Sequence, residues 1–263
     1  MILGQDKLLS IIDSFDLDTL PRSLLLIGEK GSGKHLISKY ISDKFKLQMI
    51  DITNDLTQEN IENIYQRVEP YLYIISASDI TIKDQNTILK FIEEPLKNSF
   101  IIILCENKNQ LLPTVINRCY NLTLSPYNIE TLSKFNENNI DDKLISSIIR
   151  TPGELREIKG EHISQMLTLA DKMINKISKA TLPNALTISD KLNFDNSKDK
   201  FDYRIFLRIL LAQIETKILE KSDKRLYTMY NIVDKVINMI YTPNINTRYI
   251  FENMIIKLWL LGK

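Results

Sequence analysis

Over the first 125 residues, short runs that are apolar throughout alternate with stretches whose apolar residues return every three or four positions. The apolar runs predict strands at Ser23–Ile27, Gln48–Ile52, Tyr71–Ser76, Phe100–Cys105 and Tyr120–Leu124. The run IIIL at 101–104 does not alternate with polar residues, which suits a parallel strand covered on both faces. The intervening stretches predict helices near Asp6–Phe15, Lys34–Phe45, Thr57–Val68, Lys83–Glu94 and Pro113–Asn117. Strand-helix alternation of this kind implies right-handed βαβ crossovers, hence an α/β domain with a parallel five-stranded sheet over residues 1–126.

Ser125-Pro126 marks a change, because the residue before a proline disfavours helix. No strand pattern follows it. Residues 127–160 read as a small helical lid of short helices. Residues 161–263 read as an all-α domain with helices at His162–Lys179, Phe201–Lys221, Lys224–Tyr241 and Asn246–Leu261. In the third, Leu226, Tyr230, Val233, Ile237 and Ile240 recur at steps of four and three, which marks one helical face. The polar stretch LNFDNSKDK, 192–200, reads as a mobile linker.

Composition narrows the function classes. At 263 residues and 44% hydrophobic residues the chain can build a full core. The net charge of +1 gives no basic footprint of a stand-alone DNA-binding domain, so any contact with nucleic acid is local or shared with partners. Cys105 and Cys119 form no C-x-x-C pair, which supports neither a disulfide framework nor a zinc site and suits two reduced core thiols. The opening MILGQDKLLS lacks the pattern of a signal peptide. The longest apolar stretches fall short of the roughly 20 residues a membrane span needs. The expectation is a soluble, cytoplasmic protein with no membrane partner.

The stretch LLLIGEKGSGKHLISKY, 24–40, carries the chemistry. Gly28, Gly31, Gly33 and Lys34 fit the phosphate-binding pattern G-x-x-x-x-G-K-[ST] in its expected context, between a strand and a helix. Glycines let backbone N–H groups surround phosphate oxygens, the helix start adds positive potential, and Lys34 would reach the outer phosphates. The last position, however, is His35, an imidazole where magnesium needs a hydroxyl oxygen. The strand at 71–76 should end in the acidic pair that holds magnesium and activates water, but it runs into Ser76-Ala77-Ser78, and Asp79 comes about three residues late. Two separate losses in one metal site predict a loop that keeps phosphate-binding geometry without hydrolysis. No metal ligand set is expected.

Ordered motifs over residues 1 to about 160 resemble the AAA+ clamp-loader family, most of all its bacterial DNA polymerase III delta-prime type. These are ILGQDKLLSII at the start, LPRSLLLIGEKGSGK at the strand and loop, DQNTILKFIEEP at 84–95, LLPTVINRC at 111–119 and RTPGELREI at 150–158. The combination of the E-E-P helix and the N-R-C segment is specific; the loop alone is weak. The resemblance implies a place in a heteropentamer of clamp-loader subunits that opens a sliding clamp and sets it on primer-template DNA. It implies a stator without ATPase activity, with no required cofactor, weak ATP or ADP binding at most, and a helical collar for oligomerisation. It also implies that Arg118 reaches the ATP site of a neighbouring subunit, where a guanidinium stabilises charge on the transferred phosphoryl group. Arg156 matches the second sensor, where it either meets a nucleotide phosphate or holds the lid against the α/β domain. The sequence departs from the family in three places. Asn117 replaces the usual serine, Glu106 stands at the first sensor, and the four-cysteine zinc module is absent, since Lys46 leads straight into the next strand. Two alternatives stay open on the residues: an active AAA+ or P-loop ATPase that uses Asp79, and a P-loop kinase of a small substrate. The second leaves the N-R-C segment and the long helices unexplained.

Overall fold

The structure is a computed structural model. It describes residues 2–64, 70–94, 99–137, 140, 145–146, 148–158, 160–193, 201–242 and 246–261. The chain divides into two compact units, one of residues 1–135 with 150–154, the other of 136–149 with 155–263.

The first unit is an α/β sandwich. Its elements in chain order are α1 (Asp6–Asp13), β1 (Ser23–Ile27), α2 (Lys34–Phe45), β2 (Gln48–Asp51), α3 (Gln58–Ile64), β3 (Tyr71–Ser76), α4 (Ile82–Glu93), β4 (Ser99–Cys105), α5 (Pro113–Ile116), β5 (Tyr120–Thr123) and α6 (Ile129–Ser133). The five strands form one parallel sheet in the order β2-β3-β4-β1-β5. β1 and β4 are buried along their whole length. Alternate residues sort onto two cores. Leu25, Ile27, Tyr73, Ile75, Ile101 and Ile103 join one, with Ile88 and Phe91 of α4. Leu24, Leu26, Leu72, Ile74, Ile102 and Leu104 join the other, with Ile37 and Ile41 of α2. A side-chain period of two with no polar face is what a doubly covered parallel sheet requires. Each fully buried Leu or Ile contributes on the order of 1.5–3 kcal/mol relative to exposure.

The predicted strands therefore appear within one residue of their expected ends. The predicted helix from Thr57 is described over Gln58–Ile64, and its expected continuation lies outside the described residues. Buried Gln5 closes the unit: its side-chain amide donates to the Ser125 carbonyl at 2.9 Å and accepts from the Ser125 N–H at 2.8 Å.

The second unit is helical apart from one detail. Its elements include α7 (Pro152–Glu157), which begins in the first unit, α8 (Gly160–Lys176), α9 (Leu182–Leu186), α10 (Tyr203–Glu220), α11 (Lys224–Met239) and α12 (Thr247–Leu260). The absence of strands beyond residue 126 does not hold. Leu192–Asn193 (β6) and Phe201–Asp202 (β7) pair as a two-residue parallel ladder, too short to leave a periodic signal. Residues 194–200 of the polar stretch lie outside the described residues. The buried arc of α11 also differs from the expected face, being centred on Met229, Val233 and Val236. Leu226, Tyr230 and Ile237 flank it, half-buried, because α11 packs against α10 on one side and α12 on the other. Trp259, the single tryptophan, is held by its indole N–H on the Ala180 carbonyl at 2.8 Å. Among the described residues no helix is long and apolar enough to cross a membrane.

Candidate functional site

The glycine-rich loop sits at the C-terminal ends of β1 and β4, where open α/β sheets carry their binding crevices. The Gly28 N–H donates to the Cys105 carbonyl at 3.0 Å, tying the loop to β4. Gly31 and Gly33 have φ of +77° and +93°, left-handed values that a side chain adopts at a cost. Gly33 is the N-cap of α2, without a side-chain cap, so the helix opens directly from the loop. This is the strand–loop–helix context expected for Gly28, Gly31, Gly33 and Lys34.

Lys34 is folded back onto the loop itself. Its Nζ donates to the Gly28 carbonyl at 2.6 Å and the Glu29 carbonyl at 3.0 Å. An ammonium carries three donors, so at least two point at backbone oxygens in this arrangement. His35 is exposed on the first turn of α2. At the end of β3 the Ser76 and Ser78 hydroxyls lie 3.0 Å from each other, and Asp79 ends the 3-10 turn that follows. Asp51 at the end of β2 accepts from the Thr53 N–H at 2.9 Å and the Thr53 hydroxyl at 2.6 Å; the Thr53 hydroxyl in turn accepts from the Ser76 N–H. Among the described residues no group of three His, Cys, Asp or Glu could hold a metal ion.

A feature without a sequence signal is what covers the loop. Residues 150–154 lie directly on it. The Thr151 hydroxyl donates to the Lys30 carbonyl at 2.7 Å, and the Gly153 N–H donates to the Gly31 carbonyl at 3.1 Å. The two backbones touch so closely that a Cβ on Gly153 would lie 2.4 Å from the Gly31 Cα. From beyond Pro126, the Tyr127 hydroxyl donates to the Ser32 carbonyl at 2.7 Å. Its burial raises the Tyr127 pKa, with a Gln5 hydrogen bond acting in the opposite sense. The Ser32 hydroxyl is buried in the turn with no hydrogen-bond partner.

Arg118 stands at another edge of the same unit. It follows α5, whose start is fixed by Pro113 at the first helical position and whose Val115 is fully buried. The Arg118 Nη1 donates to the Thr114 carbonyl at 2.9 Å, and its Nε pairs with the Glu93 carboxylate at the end of α4. The Arg118 side chain is 40% exposed, so it is oriented and still accessible. Buried Gln85 fixes the segment before α5: its amide donates to the Gln110 carbonyl at 3.0 Å and accepts from the Leu112 N–H at 2.8 Å. Glu93 and Gln85 lie in the stretch DQNTILKFIEEP, but their partners could not be read from it.

Residues 46–128 match the family described as DNA polymerase III, delta subunit. Over 56 residues the chain is 43% identical to the DNA polymerase III subunit delta' of Bacillus subtilis, which covers 21% of this chain and 17% of that protein. Over this segment the chain is similar to DNA polymerase III delta-type proteins. Over 188 residues it is also 21% identical to an uncharacterized protein of Mycoplasma pneumoniae, the homolog of MG007, covering 71% of this chain and 67% of that one. Among solved structures, a DNA polymerase III gamma-subunit-related protein of Thermotoga maritima aligns over 99% of this chain and all of its own, at 15% identity and a TM-score of 0.42. A RuvB variant of the same organism aligns over 82% of this chain and 75% of its own, at 15% identity and a TM-score of 0.47.

The matched segment begins after the glycine-rich loop and spans β2 to β5. It contains the α4 helix with Glu93 and the α5 segment with Arg118. Arg156 is exposed on α7 and belongs to the second unit. Cys105 and Cys119 are buried in the core of the first unit, and burial pushes both thiols up to about 12. At neutral pH the thiols therefore favour the protonated form, which makes them poor nucleophiles.

Proposed function

We propose that this delta-prime-like chain is a non-hydrolysing subunit of a DNA polymerase III clamp loader, and that it gives Arg118 to the ATP site of a neighbouring subunit. One observation carries the reading. The magnesium site that hydrolysis needs has His35 in place of the hydroxyl and the Ser76–Ser78 hydroxyl pair in place of carboxylates, while an oriented, accessible arginine stands at the edge of the same unit. Magnesium takes hard oxygen ligands, and two serine hydroxyls supply no charge to hold it. A loop in this state can still meet a phosphate, so weak ATP or ADP binding fits, with Lys34 leaving the Gly28 and Glu29 carbonyls to do so. Partners on this reading are the other loader subunits, met through the helical second unit. The sliding clamp and primer-template DNA are reached through the complex.

The chemistry asked of Arg118 is electrostatic. A guanidinium is always charged and meets phosphate oxygens as a planar fork. A finger supplied in trans is worth on the order of 10³–10⁵ in rate in switch GTPases. One site among several in a ring should cost the whole complex less. The test is steady-state ATPase of the reconstituted loader with clamp and primed DNA. Arg118→Ala should lower turnover by roughly tenfold with an unchanged assembly profile in size exclusion, and Arg118→Lys should recover little, because an ammonium loses the fork. Wild-type turnover in Arg118→Ala would overturn the arginine assignment. Magnesium-dependent turnover by the isolated chain, abolished by Lys34→Ala, would overturn the non-hydrolysing reading.

A further inference from the structure

Arg118 is a long side chain on the end of a four-residue helix, and so short a helix does little to hold it. Its orientation comes from two contacts, the Thr114 carbonyl behind it and the Glu93 carboxylate beside it. The two differ in origin. Thr114 belongs to the same turn as Arg118 and moves with it. Glu93 belongs to α4, which is fixed independently. The inner face of α4, with Gln85, Ile88, Phe91 and Ile92, is buried. Its start is closed by a capping box, in which the Thr81 hydroxyl accepts from the Asp84 N–H and the Asp84 carboxylate accepts from the Thr81 N–H.

The contacts also divide the guanidinium. Glu93 takes the Nε edge and Thr114 one N–H of Nη1, out of five N–H groups. The two N–H groups of Nη2 and the second of Nη1 are left over, and these are the donors that a phosphate oxygen would use. A carboxylate that bridged the outer Nη pair would block the group; one at Nε turns the plane and leaves the fork open.

We infer that Glu93 is a positioning residue for Arg118: it anchors the guanidinium to α4 so that its outer donors are presented in one orientation. The inference rests on the reading of Arg118 as a group given to a neighbouring ATP site. It adds that the second carboxylate-bearing end of α4 acts in that reaction without touching the nucleotide.

The experiment uses the reconstituted loader with clamp and primed DNA, and measures kcat and KM for ATP in five variants. These are Glu93→Ala, Glu93→Gln, Glu93→Asp, Arg118→Ala and the double variant of Glu93→Ala with Arg118→Ala. Glu93→Ala should lower kcat by about 3–10-fold, less than the roughly 10²-fold that a misplacement of about 1 Å costs at a reacting centre, and leave KM within about twofold. Glu93→Gln should fall between, since it keeps an acceptor and loses the charge. Glu93→Asp should recover part of kcat. In the double variant Glu93→Ala should change nothing beyond Arg118→Ala alone, because a positioning residue has no effect once its charge is gone. If Arg118→Ala lowers kcat and neither Glu93→Ala nor Glu93→Gln does, the positioning role is wrong and the arginine reading survives. A rise in kcat on Glu93→Ala would mean that the carboxylate restrains the arginine, which also overturns it. An equal loss in the Arg118→Ala background would place the effect of Glu93 in the fold of α4. If Arg118→Ala itself is without effect, the underlying reading has failed and this inference fails with it. Should Glu93→Ala not assemble, the near-isosteric Glu93→Gln decides alone.

Discussion

Gly153→Ala tests the contact that covers the glycine-rich loop. The added Cβ would lie 2.4 Å from the Gly31 Cα, 3.0 Å from its oxygen and 3.1 Å from its carbonyl carbon. Carbon atoms rest at about 3.5–4.0 Å, so the two backbones must part by about 1 Å. Neither can yield by turning a side chain, because every atom in the contact is main chain. Parting stretches the Gly153 N–H bond to the Gly31 carbonyl, now 3.1 Å, beyond hydrogen-bonding range, and pulls the Thr151 hydroxyl off the Lys30 carbonyl. Two hydrogen bonds at roughly 0.5–1.5 kcal/mol each, with overpacking of about 1–3 kcal/mol, give a cost of roughly 2–6 kcal/mol. The segment 150–154 can open by itself, so the cost falls on local opening before it reaches the whole unit. Hydrogen exchange is therefore the assay: amides of 28–34 and 150–154 should exchange at least about tenfold faster, with the strands unaffected. Gly160→Ala is the control, since a Cβ there meets nothing within 4 Å. It should leave the loop unchanged and stabilise by about 0.4–1 kcal/mol, since alanine has less freedom to lose on folding. Unchanged exchange at the loop in Gly153→Ala would refute the reasoning.

Two further outcomes follow from buried polar groups, beside those stated for Arg118 and Glu93. Gln85→Leu should destabilise the first unit by about 2–4 kcal/mol in urea unfolding, because it leaves the Gln110 carbonyl and the Leu112 N–H without their partner; a loss below about 0.5 kcal/mol would contradict the bonding seen. Cys105 and Cys119, pushed up to about 12 by burial, keep in the folded state a proton that the unfolded chain gives up from about pH 9, so their contribution is full below pH 9 and is lost as pH rises toward 12. Stability should therefore fall by up to about 1.4 kcal/mol per pH unit per thiol in that window, and the joint Cys105→Ala and Cys119→Ala variant should show a shallower fall in urea midpoint.

The central strands β1, β3 and β4 were legible because they are buried on both faces. A run such as IIIL, flanked by turn residues and rich in β-branched side chains, suits a strand whose side chains all leave water, and the observed ends lie within one residue of the expected ones. The strand–loop–helix geometry at Gly28–Lys34 was legible for the same local reason. The pair β6 and β7 was not, since two residues carry no period. The buried arc of α11 was misplaced because packing between two helices, not its own apolar count, decides which residues are covered. In the site, the roles that need a partner distant in the chain stayed hidden. Nothing in RTPGELREI says that Gly153 meets Gly31, or that Thr151 bonds to a carbonyl 121 residues earlier. Glu93 looks like any surface carboxylate until α5 is placed beside it. The motif gave the residue types, and tertiary contact gave their roles.

That difference bears on why the chain has a phosphate-loop pattern and lacks the hydroxyl after its lysine. Gly31 meets two demands that have no connection with a nucleotide: a φ of +77° and a neighbouring backbone with no space for a Cβ. Gly28 lies where a Cβ would come 2.7 Å from the Ser32 hydroxyl oxygen. Lys34 donates to two loop carbonyls, Gly28 and Glu29, and the second of these also accepts from the Ser32 N–H at 3.1 Å. Gly31 and Gly33 are thus favoured by backbone conformation and close packing within the loop, and Lys34 is held by the loop's own carbonyls. Position 35 carries no such demand, since its side chain is exposed on α2, and neither do Ser76 and Ser78, which bond to each other. The positions that depart from the pattern are the ones whose value would come from magnesium. The positions that keep it are the ones the fold itself uses. A glycine-rich loop in such a chain is evidence of shape first. Whether it still meets phosphate turns on Lys34, which must leave the Gly28 and Glu29 carbonyls to do so.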